Sequence, residues 1–435
     1  MPAERPLHIA WLGSLPLETG GAPGVAAELL EGLAELGHRI DCFLPGTGRH
    51  LPQRLAENEN LTFVWGKTSW RWNAWYNRTQ VTTFISGLIS RGLVSMRLRR
   101  DVVRRHRSDP YDLLFQASSI ESLAVPRTLL RTVPLVIRPD SHQAGELRWL
   151  LRERRLALRS QPAYVFALVA AVMTLRTLVQ VRAIRRASLL ICLSSVFRDH
   201  MVRDYRFPLE RTVVVTNPVR LQRFPLSTRT IGDPPTISVP GRVSVRKGIE
   251  DVVEVARLLL RRGVDVRVRV VGGPSLWSDY RKLLEDLPRE NSEYVEKVPP
   301  TEMPTEYAHA DVMLQASKYD PCPMAVIESL ASGVPVVATS EVGSIEGVDR
   351  EVVIEVKPAD IEGMTDAIEE MLRRLREDPE TLRRAARAEA ERRFATPVVC
   401  AQISDALRGL VATRDGAASR NGSGLVTTAA SDPTA

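Results

Sequence analysis

Short apolar runs alternate along this chain with longer segments in which apolar residues recur every three or four positions. The run HIAWLG at residues 8–13, for example, is followed by a glycine-rich turn and then by apolar positions at Val25, Leu29, Leu33 and Leu36. Such a run predicts a buried strand, and such a spacing predicts the inner face of a helix. Because strands that alternate with helices are typical of parallel sheets, we predict an α/β fold.

The same alternation begins again in the second half of the chain. Residues 227–236 (STRTIGDPPT) are polar and contain glycine and two prolines, which is typical of a linker. After them come a strand-like run and a helix with Val252 and Leu259 on its inner face. We therefore predict two doubly wound, Rossmann-like domains that face each other across a cleft, one at residues 1–226 and one at residues 234–396.

Basic and acidic residues are distributed unevenly between these two halves. Residues 1–225 contain 32 Lys and Arg against 18 Asp and Glu, whereas residues 226–435 contain 27 against 34. The basic half is expected to face an anionic partner. No zinc-finger spacing, RNP motif or recognition-helix pattern accompanies the charge, so nucleic acid is not expected. An anionic membrane surface or a lipid-phosphate acceptor fits better.

The four cysteines, Cys42, Cys192, Cys322 and Cys400, are scattered and form no C-x-x-C pair, so neither a zinc site nor a disulfide framework is predicted. Residues 1–10 lack the apolar core of a signal peptide. The expected compartment is the cytoplasm, with peripheral attachment to the inner face of the membrane as the open alternative.

One candidate for membrane attachment lies in the basic half. Residues 65–78 concentrate four tryptophans, and the helix predicted after them carries an apolar stripe at Ile89, Leu93, Met96 and Val103 beside a stripe of arginines. Tryptophans next to a basic amphipathic helix suit the surface of an anionic bilayer. The alternative is a surface helix whose apolar stripe packs on its own sheet.

A second apolar segment, AYVFALVAAVMTL at residues 163–175, forms the centre of a predicted helix with basic ends. This centre is too short to span a bilayer. We expect a buried helix, and a helix that lies along a membrane surface is the alternative.

Two acidic residues flank a predicted helix start in the stretch YDPCPMAVIESLASG. Asp320 lies in a proline-broken loop, and Glu328 follows eight positions later. Because proline fixes its φ and cannot donate within a helix, the helix is predicted to begin near Pro323 or Met324. The free N–H groups of its first turn, at Met324 and Ala325, then lie between two carboxylates. Such a site suits a molecule that is hydroxylated at both ends and anionic in the middle, as a nucleotide sugar is; taken alone, the pair could equally be a loop acid and a solvated glutamate.

Two glycine-containing loops suit a phosphate group. The sequence GRVSVRKG contains Arg242 and Lys247, whose bidentate fork and mobile point charge fit a diphosphate. In the first domain, Gly20 and Gly21 occupy a strand-to-helix turn, where backbone N–H groups can approach a phosphate closely. The dinucleotide fingerprint G-x-G-x-x-G is absent there, so a nicotinamide cofactor is not predicted.

These motifs together resemble those of the retaining family 4 glycosyltransferases (glycosyl transferases group 1), which have the GT-B fold. The resemblance covers roughly residues 9–410. It implies that Asp320 contacts the donor sugar and that Glu328 binds the ribose hydroxyls. It also implies that Arg242 and Lys247 bind the diphosphate. The further positions that it implies around the donor are Gly20, Gly21, Gly241, Gly272 and Val298.

The resemblance also concerns the region after the apolar run at residues 134–137. A catalytic or substrate-contacting histidine often occupies this place in the family, and here the sequence reads RPDSHQ. His142 is therefore predicted as the catalytic histidine, with Asp140 and Arg138 as alternatives. At the other end of the chain, residues 397–412 are expected to form a helix that crosses back onto the first domain, and residues 417–435 have the composition of a disordered tail.

The implied reaction is transfer of a sugar from a nucleotide-diphosphate sugar to a hydroxyl acceptor, with retention of configuration. The acceptor is a glycan, a lipid-linked molecule or a small molecule. No metal or other cofactor is expected, because no Asp-x-Asp cluster is placed to bind a metal. A nucleotide-sugar epimerase or phosphorylase on the same fold is one alternative. The other is a catalytically silent, membrane-associated subunit that binds a sugar nucleotide.

Overall fold

The computed structural model describes residues 5–13, 15–18, 20–46, 50–66, 80–117, 121–274 and 279–422. Within these ranges the chain forms two parallel sheets, one in each half, and helices pack against both. The predicted α/β fold of two doubly wound units is confirmed. Most of the tryptophan-rich segment, residues 67–78, lies outside the described residues.

The strand order is the same at the centre of both sheets. In the N-terminal lobe the strands are β1 (His8–Gly13), β2 (Arg39–Pro45), β3 (Leu61–Gly66), β4 (Leu113–Ala117), β5 (Leu135–Ile137), β6 (Leu189–Cys192) and β7 (Thr212–Val214). In the C-terminal lobe they are β8 (Thr236–Pro240), β9 (Arg267–Val271), β10 (Ser292–Val295), β11 (Val312–Gln315), β12 (Val336–Thr339) and β13 (Val353–Val356). Their orders are β3-β2-β1-β4-β5-β6-β7 and β10-β9-β8-β11-β12-β13, so each order reverses beside the first strand of its lobe.

Helices connect these parallel strands, as the apolar periodicity predicted. Those of the N-terminal lobe are α1 (Ala22–Glu35), α2 (Gln53–Ala56), α3 (Gln80–Ser108), α4 (Arg127–Thr132), α5 (Gln143–Arg152), α6 (Arg154–Ser160), α7 (Ala163–Ile184) and α8 (Ser195–Tyr205). Those that follow β8 are α9 (Ile249–Arg261), α10 (Met303–Ala308), α11 (Met324–Ala331), α12 (Ile361–Glu377), α13 (Pro379–Phe394) and α14 (Thr396–Gly422).

Alternate side chains of the first sheet pack against two different helix layers. Ile9 and Trp11 of β1 belong to a buried cluster with residues of α1 and α14. Ala10 and Leu12 belong to the cluster that contains residues of α3, α5, α7 and α8. This alternation is what a parallel sheet covered on both faces requires.

Helix α7 differs from what its sequence predicted. It is 22 residues long with a mean hydropathy of 1.8 over its most apolar window, so by length and composition alone it could cross a membrane. Only 17% of that window is buried, and Tyr164, Leu175 and Leu178 are 74%, 51% and 49% exposed. The predictions that this segment is too short to span a bilayer and that it is buried are therefore wrong. The predicted apolar centre ends at Leu175, whereas the apolar part of the helix continues past Arg176 and Arg182 to Ile184.

The basic amphipathic helix predicted after the tryptophans is α3. Its buried side chains include Val94 and Leu98, whereas Ile89, Leu93 and Met96 are 58%, 47% and 56% exposed. The helix therefore packs on the sheet, as the alternative predicted, but of the predicted stripe only Val103 packs there, together with Val94 and Leu98. Residues of α3 and α7 belong to the same buried cluster as Ala10 and Leu12 of β1.

The chain passes between the lobes twice, and the two crossing segments are hydrogen bonded to each other. The N–H of Val219 donates to the carbonyl of Phe394 at 2.7 Å, and the N–H of Thr396 donates to the carbonyl of Val219 at 3.3 Å. These bonds form a parallel bridge between Val219 and Ala395.

Helix α14 follows the second crossing and returns to the N-terminal lobe. Its buried side chains Val399, Cys400, Ile403 and Leu407 belong to the same cluster as α1. The helix extends to Gly422, so the beginning of the segment predicted to be disordered is helical.

Candidate active site

A cavity of about 810 Å³ lies between the lobes and is lined by residues of both. In doubly wound sheets, ligands bind beyond the carboxyl ends of the strands where the strand order reverses. The cavity walls include the residues that follow β1, β8 and β9, in agreement with that rule. The predicted donor-site residues that line it are Gly20, Gly21, Gly241, Arg242, Lys247, Gly272, Val298, Met324, Ala325 and Glu328.

Two helix N-termini point at this cavity from opposite lobes. Helix α1 begins directly after Gly21, which has φ 75°, a conformation that favours glycine. Helix α11 begins at Met324 with Pro323 as its N-cap residue, which confirms the predicted helix start. Because the first N–H groups of a helix have no partner inside it and carry partial positive charge, both termini suit an anionic ligand.

Lys247 brings a positive charge to the cavity, and Asp320 holds its ammonium group. Lys247 Nζ is ion paired with Asp320 Oδ2. Burial lowers the pKa of Lys247, and the Asp320 carboxylate opposes this effect. Gly248 follows in a left-handed conformation with φ 67°, and a Cβ there would lie 2.0 Å from the Ala316 carbonyl oxygen. Only glycine therefore fits at this position.

Asp320 itself is buried and is not among the residues that line the cavity. Arg246 Nη1 lies 3.7 Å from Asp320 Oδ1 and donates to the Tyr319 carbonyl at 2.7 Å. Two cations therefore cover the Asp320 carboxylate. This placement does not support the prediction that Asp320 contacts the donor sugar, because its short side chain ends behind Lys247.

Glu328 lines the cavity from inside α11. Tyr307 Oη donates a hydrogen bond to Glu328 Oε2 at 2.8 Å. Burial raises the pKa of Glu328, while the Tyr307 hydroxyl and the Arg223 charge lower it. The carboxylate keeps acceptor capacity for hydroxyl groups of a ligand, as the ribose prediction requires.

The structure does not bring His142 to the cavity. His142 is fully buried; its Nδ1 lies 3.0 Å from Tyr319 Oη, and its Nε2 lies 3.1 Å from Asp204 Oδ2. Burial lowers the pKa of His142, although Asp204 opposes this effect. Its prediction as the catalytic histidine is therefore corrected: this side chain joins the lobes from within the core. The alternatives Arg138 and Asp140 line a smaller cavity that adjoins the first.

Residues of the N-terminal lobe form hydrogen bonds with the loop before α11 at Tyr319, Pro321 and Cys322. Besides the His142–Tyr319 contact, Ser194 Oγ donates to the Pro321 carbonyl at 2.9 Å, and Asn217 Nδ2 donates to the Cys322 carbonyl at 3.0 Å. The position of the α11 N-terminus therefore depends on both lobes.

Glu146, Arg246 and Tyr307 are among the side chains that line the cavity and that the sequence did not predict. Arg246 stands beside Lys247, but its direction depends on the tight turn Val245–Lys247, which the spacing does not reveal. Glu146 and Tyr307 lie on α5 and α10, far along the chain from the motifs.

Two doubly wound lobes with a cavity between them, into which helix N-termini and cationic side chains point, define the fold and site of a GT-B glycosyltransferase. The family model described as Glycosyltransferase Family 4 matches residues 19–223, and the model described as Glycosyl transferases group 1 matches residues 225–389. The chain therefore belongs to glycosyltransferase family 4, in glycosyl transferases group 1.

Solved structures share this fold at low sequence identity. Sucrose-phosphate synthase from Thermosynechococcus elongatus superimposes with a TM-score of 0.65 at 19% identity, over 94% of this chain and 100% of that one. Anabaena HepE in complex with UDP and glucose gives a TM-score of 0.61 at 17% identity, over 93% and 99% of the two chains.

Curated relatives match over a shorter length. The glycogen synthases of two Mycobacterium tuberculosis strains are 25% identical over 217 residues, which are 48% of this chain and 50% of theirs. The chain thus spans about half the length of the curated relatives it matches.

Proposed function

We propose that this glycosyltransferase takes a hexosyl group from a nucleoside-diphosphate sugar and transfers it to a hydroxyl acceptor with retention of configuration. One observation carries the proposal: Lys247, Glu328 and the N-termini of α1 and α11 line a single cavity between the lobes. The HepE structure, which contains UDP and glucose, supports a nucleotide-sugar donor.

In the proposed reaction, the bond between the sugar C1 and the β-phosphate oxygen breaks, and the acceptor oxygen attacks C1 from the same face. The acceptor proton passes to the leaving phosphate oxygen. Lys247, Arg242 and the first N–H groups of α11 stabilise the negative charge that develops on that phosphate. Glu328 accepts hydrogen bonds from the ribose and so positions the nucleotide. Lobe closure excludes water and disfavours hydrolysis of the donor.

A panel of UDP-, GDP- and ADP-sugars tests this proposal. We expect one member to raise the melting temperature and to be hydrolysed slowly, with release of the nucleoside diphosphate. NMR of the glycoside formed with an added acceptor should show the anomeric configuration of the donor, and EDTA should leave the rate unchanged. An epimerase would instead change the sugar without releasing nucleotide, and a silent subunit would bind without release.

We further propose that the enzyme attaches peripherally to an anionic membrane surface on the cytoplasmic side, through α7. The outward side of this helix carries Tyr164, Ala167, Ala171, Leu175 and Leu178, here called the α7 stripe, with Thr174 as the one polar residue among them. A stripe exposed to water on a globular protein is normally polar, and an apolar one of this length indicates an interaction surface.

Charge and position favour a bilayer as the partner of the α7 stripe. Residues 143–187, which include α5, α6 and α7, contain nine arginines and two glutamates, so the surroundings of the stripe are strongly basic. The opposite side of α7 places Val169 and Met173 in the cavity wall. Because Ile184 of the same helix is in the core, we propose that α7 lies along the membrane and does not cross it. An acceptor anchored in that membrane would then be close to the donor site.

Vesicle sedimentation tests this attachment. Wild-type protein should sediment with phosphatidylglycerol-containing vesicles and not with pure phosphatidylcholine, and high salt should weaken binding. The double variant Leu175→Glu/Leu178→Glu should bind at least about tenfold more weakly, because two apolar side chains no longer enter the bilayer. Leu260→Glu, at an exposed leucine of α9, is the matched control and should bind like the wild type. If the double variant and the wild type sediment equally, attachment through α7 is refuted.

A further inference from the structure

Among the described residues, Arg138 is a buried cation without an ion-pair partner. It follows β5, is 4% exposed, and has no carboxylate oxygen within 4.0 Å among the described residues. The other two buried cations of the described chain are both neutralised: Arg383 pairs with Asp311 at 2.9 Å, and Lys318 pairs with Glu250. Because an unpaired buried charge is costly, the exception requires an explanation.

Only some of the N–H groups of the Arg138 guanidinium have hydrogen-bond acceptors within the described residues. Nη2 donates to the Thr216 carbonyl at 3.0 Å and to Asn217 Oδ1 at 2.8 Å. Both acceptors are neutral. Nε has no hydrogen-bond partner in the described part of the chain. Burial accordingly lowers the pKa of Arg138 to about 10, a direction that an anionic partner would reverse.

Arg138 lines a cavity of about 200 Å³ that adjoins the donor cavity. The two cavities share Gly21 and Met324, the residues at the N-termini of α1 and α11. Apolar side chains of α1 form part of the wall, and Asp140 stands at the edge as an exposed residue. A charge enclosed by such walls acts on a ligand in a medium of lower effective dielectric than water.

We propose that the Arg138 cavity binds a carboxylate or phosphate group carried by one of the two substrates of the proposed reaction. The guanidinium fork matches such groups in geometry and charge, and the cavity has room for one of them together with part of a sugar ring. The bound anion would neutralise the Arg138 guanidinium, for which the folded chain supplies no carboxylate among the described residues. The inference rests on the proposed transferase function, since it assigns the anionic group to a substrate at that site.

The group can belong to the donor or to the acceptor, and matched ligand pairs distinguish these sources. UDP-glucose and UDP-glucuronate differ by a carboxylate on the donor, and glucose and glucose 6-phosphate differ by a phosphate on a model acceptor. Binding of each ligand is measured by calorimetry, the acceptor pair in the presence of UDP. We expect the anionic member of one pair to bind at least about tenfold more tightly than its neutral partner.

Three variants test whether the tighter binding of the anionic ligand depends on Arg138. Arg138→Gln should reduce the preference to less than about twofold, whereas Arg138→Lys should keep part of it because the charge remains. Asp140→Asn is the matched control at the cavity edge and should keep or increase it. The melting temperature of each variant shows whether it is folded.

If the wild type binds the anionic and the neutral member of both pairs equally well, the inference is overturned, and no variant is needed to show it. A preference that survives Arg138→Gln or disappears in Asp140→Asn would overturn it as well. UDP binding is read separately: if UDP, GDP and ADP all fail to bind, the proposed function fails and this inference with it. If UDP binds and no anionic preference exists, only the inference fails; if GDP or ADP binds instead, the same pairs are measured with that nucleotide.

Discussion

Replacing Lys247 with methionine is expected to reduce kcat/KM for sugar transfer by at least about 100-fold, the effect typical of removing one preorganised group that stabilises a developing charge. The ammonium group lies in the cavity wall, and methionine keeps most of the apolar length of lysine without the charge. Steady-state kinetics with the donor identified by the nucleotide-sugar panel measures the effect.

Stability must be separated from catalysis in this experiment, because the Lys247 ion pair also neutralises buried Asp320. Lys247→Met alone is expected to lower the melting temperature, since it leaves the Asp320 carboxylate with only Arg246 nearby. The double variant Lys247→Met/Asp320→Asn should recover the melting temperature and keep the reduced kcat/KM. Lys282→Met, at an exposed lysine outside the cavity, should behave like the wild type. Full activity of either Lys247 variant would refute the phosphate-binding role.

Glu328→Ala is expected to raise the KM for the donor and to lower kcat/KM by at least about tenfold, the usual cost of losing hydrogen bonds to a charged group. The reason is that its carboxylate lines the cavity and is the predicted acceptor for the ribose hydroxyls. Glu290→Ala, at an exposed glutamate of the same lobe, is the control and should leave both constants unchanged. An unaltered donor KM in Glu328→Ala would exclude ribose binding by this residue.

The pH dependence of kcat/KM gives a second test of Glu328. Only the ionised carboxylate accepts from both ribose hydroxyls, so the rate should fall as pH falls through the raised pKa of Glu328. The Tyr307 hydrogen bond lowers that pKa. Tyr307→Phe should therefore move the acid limb to higher pH, and a limb that stays in place would contradict the assignment.

The sequence was sufficient for features that depend on local chemistry. Pro323 fixes where α11 can begin, and the helix starts at the next residue. Gly21 and Gly248 occupy left-handed conformations at turns that their neighbours predicted. The resemblance likewise placed Arg242 and Lys247 at one cavity, because the loop between them is short.

What the sequence could not give depends on contacts between distant segments. The contact of His142 with Tyr319 joins residues 177 positions apart, so a histidine in a polar loop sequence is in fact part of the interior. The exposed side of α7 is as apolar as its buried side, and periodicity alone cannot tell which side meets the sheet. The sequence offered Arg138 only as an alternative to His142, and its burial without an anion is visible only in the structure.

The bonded crossing segments at Val219 and Ala395 constrain how the two lobes can move. Both crossings meet at this one bridge, so the hinge between the lobes is expected at these residues. We therefore expect opening and closing of the cleft to be a rotation about these residues. Because the loop before α11 is held by residues of the opposite lobe, we expect opening of the cleft to weaken those bonds and to shift the N-terminus of α11.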